Sequence, residues 1–170
     1  MLMKKYILLF LLFFFSNANS EQIIAYIDID KILKNSTVGK NALKEIEGKI
    51  INENKKFTTI EKQIKKEETD LNTKKNVYSK DEFEKKFSLL KSKVNKYNSD
   101  KKKSLDGINK LKVDYTNKIL SKINPLIANY ASEKNISIII RKEYMVMGKT
   151  ELDISDDLLK IINSKIKVLN

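Results

Sequence analysis

The sequence of 170 residues contains no cysteine, histidine or tryptophan, and it has only four glycines and one proline. Without cysteine, the chain can enter an oxidising compartment with no disulfide to form. The missing thiol and imidazole groups exclude the usual ligands for transition metals and the nucleophile–base pairs built on them. Glycine-rich phosphate-binding motifs and the nucleophile-elbow motif are also absent. We therefore expect a protein that is not an enzyme, with no catalytic residues, no metal site and no cofactor.

The first twenty residues have the pattern of an export signal. Lys4 and Lys5 precede an unbroken apolar run from Tyr6 to Phe15. This run is about half the length that a membrane-spanning helix needs. Ala18 and Ser20 then place small residues at the −3 and −1 positions of a signal-peptidase site. We expect cleavage after Ser20 and export of the mature chain.

Heptad patterns predict two long helices between residues 40 and 132. Apolar residues recur every seven positions from Leu43 to Tyr78, and a second series runs from Phe87 to Tyr115 with an interruption at Lys101. Sustained heptads of this kind are typical of coiled coils. Ser79 and Glu82 have the spacing of a capping box, which marks the start of the second helix. The tip of a helical hairpin is therefore expected near residue 79.

The two predicted helices would form an antiparallel hairpin roughly 50 Å long, here termed the arm. Facing residues would have numbers that sum to about 158, twice the tip position. This register places Glu67 near Lys91 and Phe57 opposite Lys101. Pro125 is the only proline, and we expect it to kink or restart the returning helix near the base of the arm.

Strands are predicted only near the ends of the mature chain. Residues 23–29 and 136–140 are rich in β-branched side chains, which favour strands. Residues 144–154 contain a Gly-Lys turn and predict a further hairpin. A short closing helix is expected to follow, with Ser155 as its N-cap and an acidic first turn.

These end segments, residues 21–39 and 133–170, predict a small body from which the arm of residues 40–132 projects, an α+β fold. A body of about 57 residues rarely sustains a core alone, and its few strands leave open edges. We therefore expect oligomerisation through the body. The arm has 23 lysines against 13 acidic residues, whereas the two kinds of charge balance in the body. Such an excess favours acidic polypeptides, anionic lipid headgroups or nucleic acid as partners.

Lys101, Lys102 and Lys103 form the densest basic run of the arm and are the candidate contact residues. An ordinary solvated helix surface is the alternative interpretation of this run. Nucleic acid is not expected as a physiological partner, because the chain is exported and has a single arginine, the residue that usually carries base contacts. An anionic membrane surface stays a candidate partner. The alternative function is a structural coiled-coil scaffold of the cell envelope, although a returning hairpin offers no obvious second anchor.

Three segments together resemble the Skp/OmpH family of periplasmic chaperones. Residues 24–40 are similar to the opening of that family, residues 127–140 to its helix-to-strand return, and Asp153-Ile154-Ser155 to the start of its closing helix. The order of the segments matches along the whole mature chain. The resemblance implies a Skp-like homotrimer in the periplasm, with three arms around a cavity. It also implies a holdase that works without ATP, binds unfolded outer-membrane proteins and prevents their aggregation.

Overall fold

The computed structural model describes residues 22–169. The signal predicted for residues 1–20 lies outside these residues, and its cleavage after Ser20 stays a prediction. Among the described helices, none is long and apolar enough to cross a membrane.

Long helices and one small sheet make up the described chain, which confirms the predicted α+β fold. The elements in chain order are β1 (Ile23–Ile27), α1 (Ile29–Asn35), α2 (Thr37–Thr73), α3 (Lys80–Glu133), β2 (Ile136–Arg141), 3₁₀ turns at Lys142–Tyr144 and Thr150–Leu152, and α4 (Ser155–Lys165). Helices α2 and α3 are the two antiparallel helices of the arm.

The tip of the arm is closed by the predicted capping box. The Ser79 hydroxyl accepts a hydrogen bond from the backbone N–H of Glu82, and the Glu82 carboxylate accepts one from the backbone N–H of Ser79. Below the tip, α2 and α3 pair close to the predicted register. Glu67, however, contacts Lys93 instead of Lys91. Two residues correspond to about 200° of helix rotation, so Lys91 lies on a different face of α3.

Helix α3 continues without a break through Pro125, and the predicted restart at this residue is wrong. A proline inside a helix costs about 3 kcal/mol, because it removes a backbone hydrogen bond and crowds the preceding turn. Ile119 and Ile123 before the proline and Tyr130 after it are all buried in the body core. Burial of these large side chains on both sides offsets the local cost.

Strands β1 and β2 pair in parallel, with Ala25 opposite Ile139 and Tyr26 opposite Ile140. Parallel neighbours need a long crossover connection, and here α1 and the whole arm provide it. The arm is thus an insertion between two adjacent strands, and both of its ends are fixed in the same body.

The hairpin predicted for residues 144–154 is wrong, because this segment forms the 3₁₀ turn at Thr150–Leu152 and a single bridge to β1. The backbone N–H of Ile154 donates to the carbonyl of Tyr26 at 3.0 Å. The segment therefore pairs with the free edge of β1 instead of with itself. Gly148 lies against the Tyr26 ring, where an added Cβ would approach a ring carbon to 3.0 Å.

The core of the body lies between the sheet, α1, α4 and the basal turns of the arm. Its fully buried side chains include Ile32, Ile123, Leu158 and Ile162. Two of these, Leu158 and Ile162, belong to α4, so the predicted closing helix packs into the core. On α2 this core extends only to Ala42, so the chain beyond that residue projects away from the body.

Ser155 is the first residue of α4 and is buried, and Ile154 occupies the N-cap position without a side-chain cap. The prediction of Ser155 as the N-cap is therefore wrong. Its hydroxyl accepts a hydrogen bond from the backbone N–H of Asp28 at 2.8 Å and donates to the carboxylate of Asp153. The side chain is used to join α4 to the end of β1 and cannot also cap its own helix.

Candidate functional site

The candidate contact residues Lys101, Lys102 and Lys103 are all exposed on α3. Successive residues of an α-helix are about 100° apart, so the three side chains leave the helix over an arc of roughly 200°. The structure thus distributes them around α3 instead of gathering them on one face. A single partner surface would contact one or two of them at a time.

Lys101 contacts the interface between the two helices of the arm. Its ammonium group donates a hydrogen bond to the Tyr97 hydroxyl at 3.1 Å, which raises the pKa of Lys101. The Tyr97 ring lies edge-on to Phe57, with centroids 5.8 Å apart. Tyr97, and not Lys101 as the heptad register predicts, is therefore the neighbour of Phe57. The sequence missed this pair, although an aromatic residue on each heptad series is the signal that could have found it.

Glu53 and Ser104 form a polar contact within the seam, the line of facing residues along which the two helices of the arm meet. The Ser104 hydroxyl donates to the Glu53 carboxylate at 2.9 Å, and this hydrogen bond is the main cause of the lowered pKa of Glu53. Lys49 and Lys56 lie 3.8 and 3.7 Å from the same carboxylate and lower the pKa further. A hydrogen-bonded polar pair in a coiled coil favours one register at a cost in stability. This part of the seam is therefore specified by polar contacts and not by apolar packing.

The base of the arm is held by side chains that the sequence did not single out. The amide oxygen of Asn163 on α4 accepts a hydrogen bond from the backbone N–H of Thr37, the first residue of α2. The Tyr130 hydroxyl on α3 donates to Asp157 on α4, and burial is the main cause of the raised pKa of Tyr130. Helix α4 thus contacts both helices of the arm and sets their direction from the body.

The body exposes a set of large apolar side chains around its sheet. They are Ile23, Ile24, Ile138, Tyr144, Val146 and Met147. Val146 is fully exposed and Met147 is 85% exposed. Within the described residues the sheet has only two strands, so the edge of β2 away from β1 has no strand beside it. Exposed apolar side chains beside an open strand edge are typical of a surface that another chain covers.

Comparison with known proteins agrees with this architecture. Residues 23–162 match the model of a family described as outer membrane protein (OmpH-like). A structure from Caulobacter crescentus, provisionally described as an outer membrane chaperone (OmpH-like), superposes with a TM-score of 0.79. The two chains are 17% identical over 90% of each, a likeness that concerns the fold. No curated protein sequence gave a significant match. The family model covers most of the chain and confirms the predicted resemblance, and the chain therefore belongs to the OmpH-like family.

Proposed function

We propose that this protein is an ATP-independent holdase of the periplasm that binds unfolded outer-membrane proteins and prevents their aggregation. Membership of the OmpH-like family supports a chaperone role. The observation that carries the proposal is the arm. Between Ala42 on α2 and Tyr115 on α3, no side chain belongs to the body core. The arm is therefore a long, solvated and lysine-rich surface that is available to other polypeptides.

Such a surface supports capture at equilibrium, with no input of energy. A positive arm speeds the encounter with acidic client segments. Several arms in one assembly raise the effective concentration of individually weak contacts. A client held between arms cannot expose its strand edges to a second client, and this separation suppresses aggregation of β-rich chains.

We also propose that three copies assemble through their bodies. The exposed apolar side chains around the sheet and the open edge of β2 support association between copies. The number three comes from the family resemblance and not from these surfaces. Assembly through the body leaves the arms of all copies free to act together.

Other partners are weaker candidates. Lysines of the arm could also contact an anionic membrane surface, because each basic side chain near such a surface contributes about 1 kcal/mol. A structural scaffold of the envelope receives no support from the fold, since both ends of the arm return to the same body.

The proposal is tested by the aggregation of an unfolded outer-membrane barrel protein. The denatured client is diluted into buffer without ATP, and light scattering is followed with and without the mature chaperone. We expect suppressed scattering once the assembly is present in equal amount to the client. Native mass spectrometry should then show one client bound to one assembly. Unchanged scattering at a large excess of the protein would contradict the proposed function.

A further inference from the structure

The arm contains a cleft of about 460 Å³ next to its tip, between α2 and α3. Each side of the cleft has four lining residues at positions i, i+3, i+4 and i+7, a spacing that places them on one helix face, and the last of the four on the α2 side is Lys74, the C-cap residue just after that helix. The ion pair between Glu67 and Lys93 sets the register at its basal end. One turn nearer the tip, this register places Leu71 opposite Leu89. We refer to this site as the tip cleft.

Leu71 and Leu89 form one level of the tip cleft, here termed the leucine level, and part of its apolar surface is exposed. Leu71 is buried, whereas 64% of Leu89 is exposed. A volume of about 460 Å³ lies within the range of pockets that bind small molecules. The cleft can therefore accept one or two large side chains, although it is much too small for a folded domain.

Two lysines occupy the level nearest the tip. The same register places Lys74 of the turn opposite Lys86 on α3, and both line the cleft. The ammonium group of Lys86 lies 5.0 Å from the centre of the Tyr78 ring, which also lines the cleft. Within residues 22–169, neither lysine forms a salt bridge, whereas Lys93 at the basal end is neutralised by Glu67. Two like charges at one level repel each other, and a bound anion would relieve this repulsion.

We propose that the tip cleft binds an extended client segment in which an acidic side chain lies two residues from a leucine or an aromatic residue. This inference rests on the proposed holdase function. On one side of an extended strand, such residues are about 6.8 Å apart. Along the axis of the arm, the level of Leu71 and Leu89 is three helical residues, or about 4.5 Å, from the level of Lys74 and Lys86. A lysine side chain is long enough to span the difference between this distance of about 4.5 Å and the spacing of about 6.8 Å on the strand. The apolar side chain contacts Leu89, and the carboxylate lies between Lys74 and Lys86.

Acidic residues at the other end of the tip cleft give the contact a direction. Asp70 and Glu67 lie on the basal side of the leucine level, where the one lysine of the lining, Lys93, is already paired with Glu67. A client segment bound in reverse would bring its carboxylate toward these groups, and like charges at close range are unfavourable. The cleft therefore favours one direction of an alternating segment over the other.

The test uses two fluorescent peptides of twelve residues, identical except that one has aspartate and the other asparagine two residues from leucine. Their binding to the full mature assembly is measured by fluorescence anisotropy at low salt. The double variant Lys74→Gln/Lys86→Gln should bind the aspartate peptide about fivefold more weakly, the effect of losing two exposed ion pairs. The asparagine peptide should be unaffected. The matched control, Lys75→Gln/Lys85→Gln, removes the same charge outside the cleft and should change binding by less than about twofold.

A second variant tests the leucine level. Leu89→Gln should weaken both peptides about equally, whereas Leu105→Gln, which changes a leucine of similar exposure far from the tip, should weaken neither. Equal weakening by both lysine pairs would show that the general charge of the arm attracts the peptide, and it would overturn the inference. The inference would also be overturned if phosphatidylglycerol vesicles bound in a way that depended on Lys74 and Lys86 while the aspartate peptide was not preferred over the asparagine peptide. Suppression of client aggregation by the unmodified protein is measured separately and decides whether the proposed function itself stands.

Discussion

Replacing Gly48 and Gly107 with alanine should stabilise the arm. Both glycines lie inside arm helices, Gly48 on α2 and Gly107 on α3, and apart from the adjoining backbone of its own helix a Cβ added at either position meets no atom within 4 Å. Alanine is favoured over glycine in a helix interior by about 1 kcal/mol. Because neither new methyl group meets an obstacle, we expect the double variant to gain roughly 2 kcal/mol against unfolding.

The same substitution tests a hinge in the basal half of the arm. The two glycines lie at nearly the same distance from the tip, and Gly107 lines an open cleft between the helices that also contains Glu53 and Ser104. Low helix propensity and a polar seam therefore coincide at one level. We predict that this level bends to let the arms separate around large clients. The double variant should then hold small clients normally and large clients less well.

Hydrogen exchange and client capture together decide this prediction. Exchange of the backbone amides between Gly48 and Phe57 should slow in the double variant. Gly39→Ala is the contrasting control, because a Cβ at this position would overlap the carbonyl oxygen of Leu33 and should destabilise the junction of arm and body. Unchanged exchange in the Gly48 and Gly107 variant, with equal capture of small and large clients, would refute the hinge.

Three further predictions concern charge, assembly and pH. Client capture should weaken as salt rises from 0.1 to 1 M, because the screening length falls from about 10 to 3 Å over this range. Changing Lys101, Lys102 and Lys103 to Gln should lower the rate of client association at low salt. An unchanged association rate would favour the interpretation of these lysines as an ordinary solvated surface. Deleting Lys49–Ile108 joins the two arm helices at a point where they face each other. The shortened protein should remain an oligomer but no longer protect clients from aggregation. A monomer in native mass spectrometry would contradict this prediction. The pKa of Asp28 is lowered below 3.8, chiefly by the hydrogen bond from the backbone N–H of Lys31. The ionised carboxylate should therefore stabilise the folded protein fully above about pH 4, and this stabilisation should be lost as the pH falls through the lowered pKa. Asp28→Asn should reduce this pH dependence of stability in acid titrations.

The arm could be predicted because its information is local and repetitive. Heptads specify which faces of the helices meet, and the capping box at Ser79 specifies where the second helix begins. Single contacts within the seam were less predictable. Tyr97 instead of Lys101 lies beside Phe57 because a ring contact there buries more apolar surface than a lysine stem. Periodicity thus identified the interface but not every neighbour across it.

The body was harder to predict because its contacts join residues far apart in the chain. Parallel pairing of β1 with β2 depends on the arm bringing residue 136 back to residue 23, and no local pattern encodes that. Residues 144–154 have hairpin-like composition, but the exposed edge of β1 offers Ile154 a partner at Tyr26. The tip cleft was missed for a related reason. Leu89 lies outside the heptad seam, and only the facing α2 shows that it borders a cleft.

Ser155 should be among the side chains on which the body depends most. Its buried hydroxyl joins the backbone N–H of Asp28 to the carboxylate of Asp153, so one group connects β1, the segment before α4 and α4 itself. Ser155→Ala leaves the Asp28 N–H without its partner, and such a loss costs about 1 to 3 kcal/mol. Ser164→Ala is the matched control, because that hydroxyl is exposed and only donates to the carbonyl of Ile161 within its own helix. We expect the first variant to lower the denaturant midpoint clearly and to weaken assembly of the bodies, and the second to change neither. Equal midpoints for the two variants would show that the contact between β1 and α4 is held by apolar burial alone.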